Sequence, residues 1–195
     1  VPTGASTGNV FLRSNGYNSN AKSFTVNVPT PADPSNLKQS RNIGITNLIA
    51  TGGVASSTPV YFSMDTSSGV SGGTMYMQTE TRPTTGGNST FSSTSTCSSI
   101  ACTGSAYCFE GSGLAYSGGS ITATSSATAA DEFYHWQTRA RYNKSGTDYC
   151  SAWQCYPDSG CNSEVTTDFE IDTVAPTITV GPSAGSITTN GATIT

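Results

Sequence analysis

Charged side chains are scarce in this chain: 8 Lys and Arg and 12 Asp and Glu among 195 residues, for a net charge of −4. The one basic grouping is Arg139-Ala140-Arg141. Two guanidiniums cannot neutralise a run of phosphates, so nucleic acid is not an expected partner. Histidine occurs once, at His135, leaving a single side chain suited to act as a general base near neutral pH. No apolar run is long enough to cross a bilayer as a helix. No window carries a 3.6-residue apolar period, so amphipathic helices are not expected. A starting Met and a signal-peptide pattern are also missing. The expectation is a processed chain or a piece of something longer.

What remains is rich in Gly, Ser and Thr, with Val, Ile and Tyr between them, a composition that favours strands. Strands are predicted at residues 42–50, 58–64, 74–81, 120–124, 133–142 and 165–171. The sharpest is "FYHWQTRARY". Tyr134, Trp136, Thr138, Ala140 and Tyr142 fall on one face, and His135, Gln137, Arg139 and Arg141 on the other. A strict period of two with one polar face predicts a half-buried antiparallel strand whose polar side, His135 included, looks outward. Several such strands separated by turns predict a two-sheet antiparallel sandwich.

Six cysteines form two groups, Cys97, Cys102, Cys108 and Cys150, Cys155, Cys161, each spaced C-x4-C-x5-C. No C-x2-C pair occurs, and the lone histidine is elsewhere, so disulfides in an oxidising compartment fit better than zinc. Each group is odd in number. If all six pair within the chain, at least one bridge joins the groups, whichever of the 15 connectivities holds. The groups lie in two long segments, residues 83–119 and 143–164. For these to meet, both must emerge at one end of the sandwich. Otherwise a strand near residues 106–110 places Cys108 within the sheet. Long loops poor in apolar residues need such crosslinks to hold their shape.

The "YHWQTRA" stretch resembles the penultimate strand of bacterial fibronectin type III-like domains, which carry Tyr-x-Trp-x-x-x-Ala. "STPVYFSMD" resembles the family's second strand, "TMYMQTET" its third and "VTTDFEID" its last; "DTVAP" resembles a joint between tandem domains. The resemblance covers about 140 residues in outline, beyond the roughly 100 of a plain domain of this type. It implies an immunoglobulin-like sandwich over residues 31–172 with two cysteine-bearing insertions. It also implies that Tyr134 is a corner tyrosine tied by its hydroxyl to nearby backbone. Residues 1–30, with strand-like runs at 9–13 and 23–28 around "SNGYNSNAK", resemble the closing hairpin of an IPT/TIG-like domain. Residues 173–195 read as the opening strands of a further immunoglobulin-like domain, at 177–180 and 192–195.

Candidates for chemistry are few. Two G-x-S-x-G matches, at residues 69–73 and 181–185, lack the helix that a nucleophile elbow requires. Asp168, Glu170 and Asp172 alternate toward the joint and could offer oxygens to calcium, although acids at alternate positions more often form a solvated face. Tyr149, Trp153 and Tyr156 in "YCSAWQCYPDSGC" could form a platform for sugar rings or pack over adjacent strands. Asn88 and Asn143 head N-glycosylation sequons in expected loops.

These features together predict a non-catalytic structural or adhesive segment of a long extracellular, cell-surface protein of tandem sandwiches. Its partners would be neighbouring immunoglobulin-like domains and glycans. One alternative is a filament subunit whose open terminal strands complete its neighbours. Another is a carbohydrate-binding accessory module of a secreted enzyme.

Overall fold

A computed structural model of the chain describes residues 8–25, 27–86, 89–92, 96–98, 106–157, 166–176, 187–189 and 192–194. The described residues form strands and turns, with no helix among them. Four short strands open the chain: β1 (Gly8–Val10), β2 (Arg13–Ser14), β3 (Tyr17–Asn18) and β4 (Lys22–Phe24). β1 pairs with β4, and β2 pairs with β3 across Asn15-Gly16. Both turn residues have positive φ, 49° and 81°, the geometry that matches a two-residue turn to the twist of its strands. A hairpin is therefore present over residues 8–24, shorter than the one predicted from strands at 9–13 and 23–28.

The central body uses β5 (Ser35–Ser40), β6 (Gly53–Ala55), β7 (Val60–Ser67), β8 (Gly73–Pro83), β9 (Cys108–Glu110) and β10 (Leu114–Tyr116). It continues through β11 (Ser120–Ala127), β12 (Glu132–Lys144), β13 (Thr147–Cys150), β14 (Gln154–Cys155) and β15 (Phe169–Ile171). One sheet has three strands in the order β11-β7-β5. The other has eight, built on β10-β8-β12-β15-β6. Thirteen-residue β12 is its axis. One edge of β12 pairs with β8 from Tyr134 to Asn143, and the other is shared in succession by β15, β14 and β13. Two further strands, β16 (Ile187–Thr189) and β17 (Ala192–Ile194), pair with each other near the end of the chain. The run expected at 177–180 lies outside the described residues.

The two sheets share one apolar core. Val60, Phe62 and Met64 of β7 and Ala123 and Ala127 of β11 meet Met75 and Met77 of β8 and Trp136, Ala140 and Tyr142 of β12. Phe62 lies at its centre, with its ring centroid 4.6 Å from Trp136 and 5.8 Å from Phe169. At one side of the body the sheet edges touch. Gly111, just after β9, lies so close to β11 that a Cβ there would sit 1.7 Å from the carbonyl oxygen of Thr124. That neighbour is backbone and cannot rotate away. Gly111→Ala is therefore expected to cost about 1–3 kcal/mol, read as a lowered urea midpoint at unchanged m-value. An unchanged midpoint would mean that the two edges separate at no cost.

One predicted strand is not a strand. Residues 42–50 form a loop stitched by Asn42, whose Oδ1 accepts from the backbone N–H groups of Thr46 (3.0 Å) and Asn47 (3.1 Å). Ile43 and Leu48 in this loop are exposed. The strand lies earlier, at Ser35–Ser40, where the buried residues are polar.

Candidate functional site: a polar ladder beneath the cysteine segments

Alternation along β12 holds: Tyr134, Trp136, Ala140 and Tyr142 enter the apolar core. The opposite face does not look outward as expected. His135, Gln137, Arg139 and Arg141 are only 5%, 1%, 2% and 4% exposed. The cysteine-bearing segments cover this face, so β12 is buried on both sides.

Register builds the site. β8 sets Arg82, Glu80, Gln78 and Tyr76 opposite His135, Gln137, Arg139 and Arg141, respectively. β9 adds Cys108 opposite Glu80 and Glu110 opposite Gln78. β13 and β14 add Cys150 opposite Arg141 and Cys155 opposite Gln137. The rows therefore read Cys108–Glu80–Gln137–Cys155, Glu110–Gln78–Arg139 and Tyr76–Arg141–Cys150. The first cysteine group thus enters the sheet through β9, the alternative that places Cys108 in a strand.

Each polar group is held by others. Glu80 commits both oxygens: Oε1 accepts from Arg82 Nε (2.7 Å) and from the N–H and hydroxyl of Ser92 (both 2.8 Å), and Oε2 accepts from Gln137 Nε2 (2.7 Å). Gln78 accepts from Arg139 Nε at 2.7 Å and donates to Glu110 and to the Ser98 carbonyl. Arg141 grips Glu110 with two parallel bonds of 2.8 and 2.6 Å and reaches Asp148 at 2.6 Å. Burial alone would pull the Arg141 guanidinium below its ordinary pKa. Its hydrogen bonds and charge attraction to Glu110 and Asp148 outweigh burial and hold it above that value. Bidentate pairs of this kind are the strong form of the ion pair.

Aromatic rings cap the cations. Arg82 lies over Tyr107 at 4.8 Å, Arg139 over Trp153 at 4.6 Å and Arg141 over Tyr76 at 3.9 Å. His135 stacks on Phe91 at 4.3 Å, with Nε2 2.7 Å from the Ser89 carbonyl oxygen. A guanidinium desolvated under an aromatic face gains a cation–π attraction that an exposed one largely lacks. The covering segments are locked down by charge-assisted hydrogen bonds, by stacking and by the Cys97–Cys150 disulfide. That bridge joins the two cysteine groups, with Cα atoms 5.5 Å apart. Cys155 is also disulfide-bonded, while Cys102 and Cys161 lie outside the described residues.

The remaining candidates are dispersed. Tyr149, Trp153 and Tyr156 do not form one platform: Tyr149 packs against the core, Trp153 lies on Arg139, and Tyr156 stacks on Trp136 at 5.2 Å. Asp168 is buried rather than solvated. Its Oδ2 accepts from the Trp136 backbone N–H at 2.9 Å, and its carbonyl accepts from Gln39 Nε2 at 2.6 Å. Glu170 is partly buried and Asp172 is exposed, and no group of three or more metal-binding side chains occurs among the described residues. Asn143 is not in a loop but near the end of β12, and its Nδ2, the atom a glycan would use, donates to Asp148 at 2.7 Å. Asn88 and the motif at 181–185 lie outside the described residues. The motif at 69–73 runs directly into β8 rather than into a helix.

No protein-family model, curated protein or solved structure matches the chain.

Proposed function

We propose that the chain is a non-catalytic structural and adhesive segment of a long extracellular protein, built around a fibronectin type III-like sandwich at residues 31–172. The path of the chain through the central body carries this reading. Ser35 at the start of β5 pairs with Asp65, near the end of β7. The same end holds Ser68, bonded through N–H and carbonyl to the Tyr116 hydroxyl, and Tyr116 pairs with Gly73 at the start of β8. At the close of the body, Ile171 pairs with Glu132 at the far end of β12. The chain therefore enters at one end and leaves at the other, as domains strung head to tail require. Pro29 and Ala32 pin the incoming segment through bonds to Ser68 and Thr66.

Two details support the finer fold. β5, β7 and β11 form the small sheet, and β8, β12 and β15 lie in the large one, the division that strands A, B, E and C, F, G have in sandwiches of this class. Tyr134, at the start of β12, donates from its hydroxyl to the Ala130 carbonyl at 3.0 Å, four residues upstream. Burial, and then the nearby Glu132 charge, raise the pKa of this phenol, so it stays a donor through the neutral range. Tyr134→Phe is expected to cost about 1 kcal/mol in equilibrium unfolding, with its ring stacking on Phe169 preserved.

A second reading rests on the terminal hairpins. The β1–β4 sheet has two strands, its Val10 and the neighbouring Leu12 and Tyr17 are exposed, and the β16–β17 sheet also has two. Two strands do not stabilise themselves. In the first reading neighbouring domains of the same polypeptide complete them; in the second, neighbouring subunits of a filament do. The denatured, reduced mass of the native source protein separates these readings. A species far above 20.0 kDa that yields these peptides supports tandem domains. One near that mass sinks them in favour of the filament. Labelling of intact source cells with a membrane-impermeant reagent tests the extracellular placement, which an unlabelled protein would overturn.

A further inference from the structure

We propose that the cleft between residues 34–37 and 154–157 is a binding site for a neutral saccharide. Where Gly111 lets the sheet edges meet on one side of the body, the opposite side, between β5 and β14, opens into a cleft of about 440 Å³. That is the size of ordinary small-ligand sites. Among the described residues its wall carries no ionisable acid or base except the phenol of Tyr156, so the chemistry they offer is uncharged. Ser35, Asn36 and Gln154 supply a hydroxyl and two planar amides, while Leu37 and Tyr156 supply apolar surface. Pyranose rings present the complement of this set: a rim of hydroxyls that both donate and accept, around C–H faces that rest on apolar groups.

Both walls are preorganised. Asn36 holds φ at 50°, in the left-handed region, where the β5–β7 register shifts between Ser35 and Lys38. Bulges of this kind re-aim side chains and occur beside binding sites. The Asn36 Nδ2 is fixed on Asp65 Oδ2 at 2.8 Å, and Asp65 is itself held by the Thr122 hydroxyl at 2.5 Å. This leaves the Asn36 carbonyl oxygen as the acceptor available to a ligand. On the opposite wall, Cys155 is disulfide-bonded and the Tyr156 N–H donates to the Trp136 carbonyl at 3.2 Å. One ring face of Tyr156 lies on Trp136, so the cleft receives its other face or edge. The Gln154 side chain makes no hydrogen bond to the described residues. Rigid walls reduce the entropy lost on binding.

An extended peptide adding to the free edge of β5 is the rival occupant. The bulge at residues 35–38 breaks the regular ladder that such a strand needs. Farther along, the outer edge of β5 is already taken: Ile49 N–H donates to the Gln39 carbonyl and Arg41 N–H to the Asn47 carbonyl. A saccharide needs no continuous edge.

This inference does not depend on the tandem-domain reading. The test is a titration of the ¹⁵N-labelled, oxidised full chain with cellotriose, xylotriose, maltotriose and chitotriose, and separately with a Thr/Val-alternating heptapeptide. At least one trisaccharide is expected to move the amides of residues 35–37 and 154–156 with a Kd in the millimolar range. Gln154→Ala, and Asn36→Gly, which keeps the positive φ, are each expected to weaken that binding about fivefold. Unfolding midpoints measured alongside show whether each variant stays folded. If neither does, Gln154→Glu serves as the test, since it keeps the side-chain length and is expected to alter affinity. The proposal is overturned if no trisaccharide shifts these amides at about 20 mM. It is also overturned if the shifts map elsewhere, if folded variants bind as the parent does, or if only the peptide occupies the cleft.

Discussion

Replacing both Cys97 and Cys150 with Ser is expected to lower the unfolding free energy by about 4 kcal/mol, from the loop-closure entropy of a crosslink spanning 53 residues. The pair of substitutions is preferable to a reductant, which would also act on Cys155. The site of the bridge adds to this expectation. Residues on both sides of Cys97 are docked on the ladder: the Thr96 carbonyl accepts from Arg139 Nη2 and the Ser98 carbonyl from Gln78 Nε2, both at 3.0 Å. The bridge therefore closes where the covering segment already rests. Its loss is expected to loosen the cover before the core, with faster proteolysis beside Cys97 while the amide signals of β7 and β11 stay native. A urea midpoint within error of the parent's would show that the hydrogen bonds and stacking hold the cover unaided.

Arg141→Met is the other large expected effect, about 3 kcal/mol of destabilisation by equilibrium unfolding. Removing one member of a buried ion pair typically costs 3–5 kcal/mol because the partner charge is left desolvated. The lower end applies here, since the Glu110 and Asp148 side chains are 19% and 18% exposed and regain some water. Met keeps the aliphatic stem but not the guanidinium that lies over Tyr76, so the loss includes that cation–π contact as well as the ion pairs. Arg141→Lys should fall between Met and the parent, because an ammonium cannot make the two parallel bonds to Glu110 or stack flat on the ring. The difference between parent and Met should persist in about 0.5 M salt, as screening hardly reaches a covered pair. In the Cys97→Ser, Cys150→Ser background the same substitution should cost less, because the cover that desolvates Arg141 is already loosened. Strict additivity in that cycle would sever the link between bridge and ladder.

The sequence carried the apolar half of this fold clearly. β7, β8, β11, β12 and β15 alternate apolar and polar residues, and each lies within a few residues of its expected place. β5 was not legible because its buried residues are Gln39 and Ser40. Gln39 enters the core only because its amide binds the carbonyls of Ile49, Ala50 and Asp168 and the indole N–H of Trp136. The partners lie up to 129 residues away, and no local pattern announces them. The apolar residues of 42–50 misled in the opposite sense: Ile45 has φ of 53° and its neighbours fold back on Asn42.

For the ladder, one strand's alternation cannot distinguish a polar face in water from one covered by an insertion. The available signal was joint. Tyr76, Gln78, Glu80 and Arg82 alternate on β8 as His135, Gln137, Arg139 and Arg141 do on β12, with acid, amide and base set to meet across the pair. If all six cysteines pair within the chain, the odd number in each group requires a link between the two insertions, and Cys97–Cys150 is such a link. Taken together, those observations place both insertions over one polar face.

The chain's passage from one end of the body to the other has a mechanical corollary once the bridge is included. A pull on residues flanking the body runs along the strands, loading β5 against β7 and β15 against β12 lengthwise, so that rows of hydrogen bonds resist together. Should those rows yield, the Cys97–Cys150 link withholds the 53-residue span between its cysteines from extension, about 180 Å of contour at full stretch. The core strand β12 lies inside that withheld span, and its two covered faces would remain the last part of the domain to feel the load.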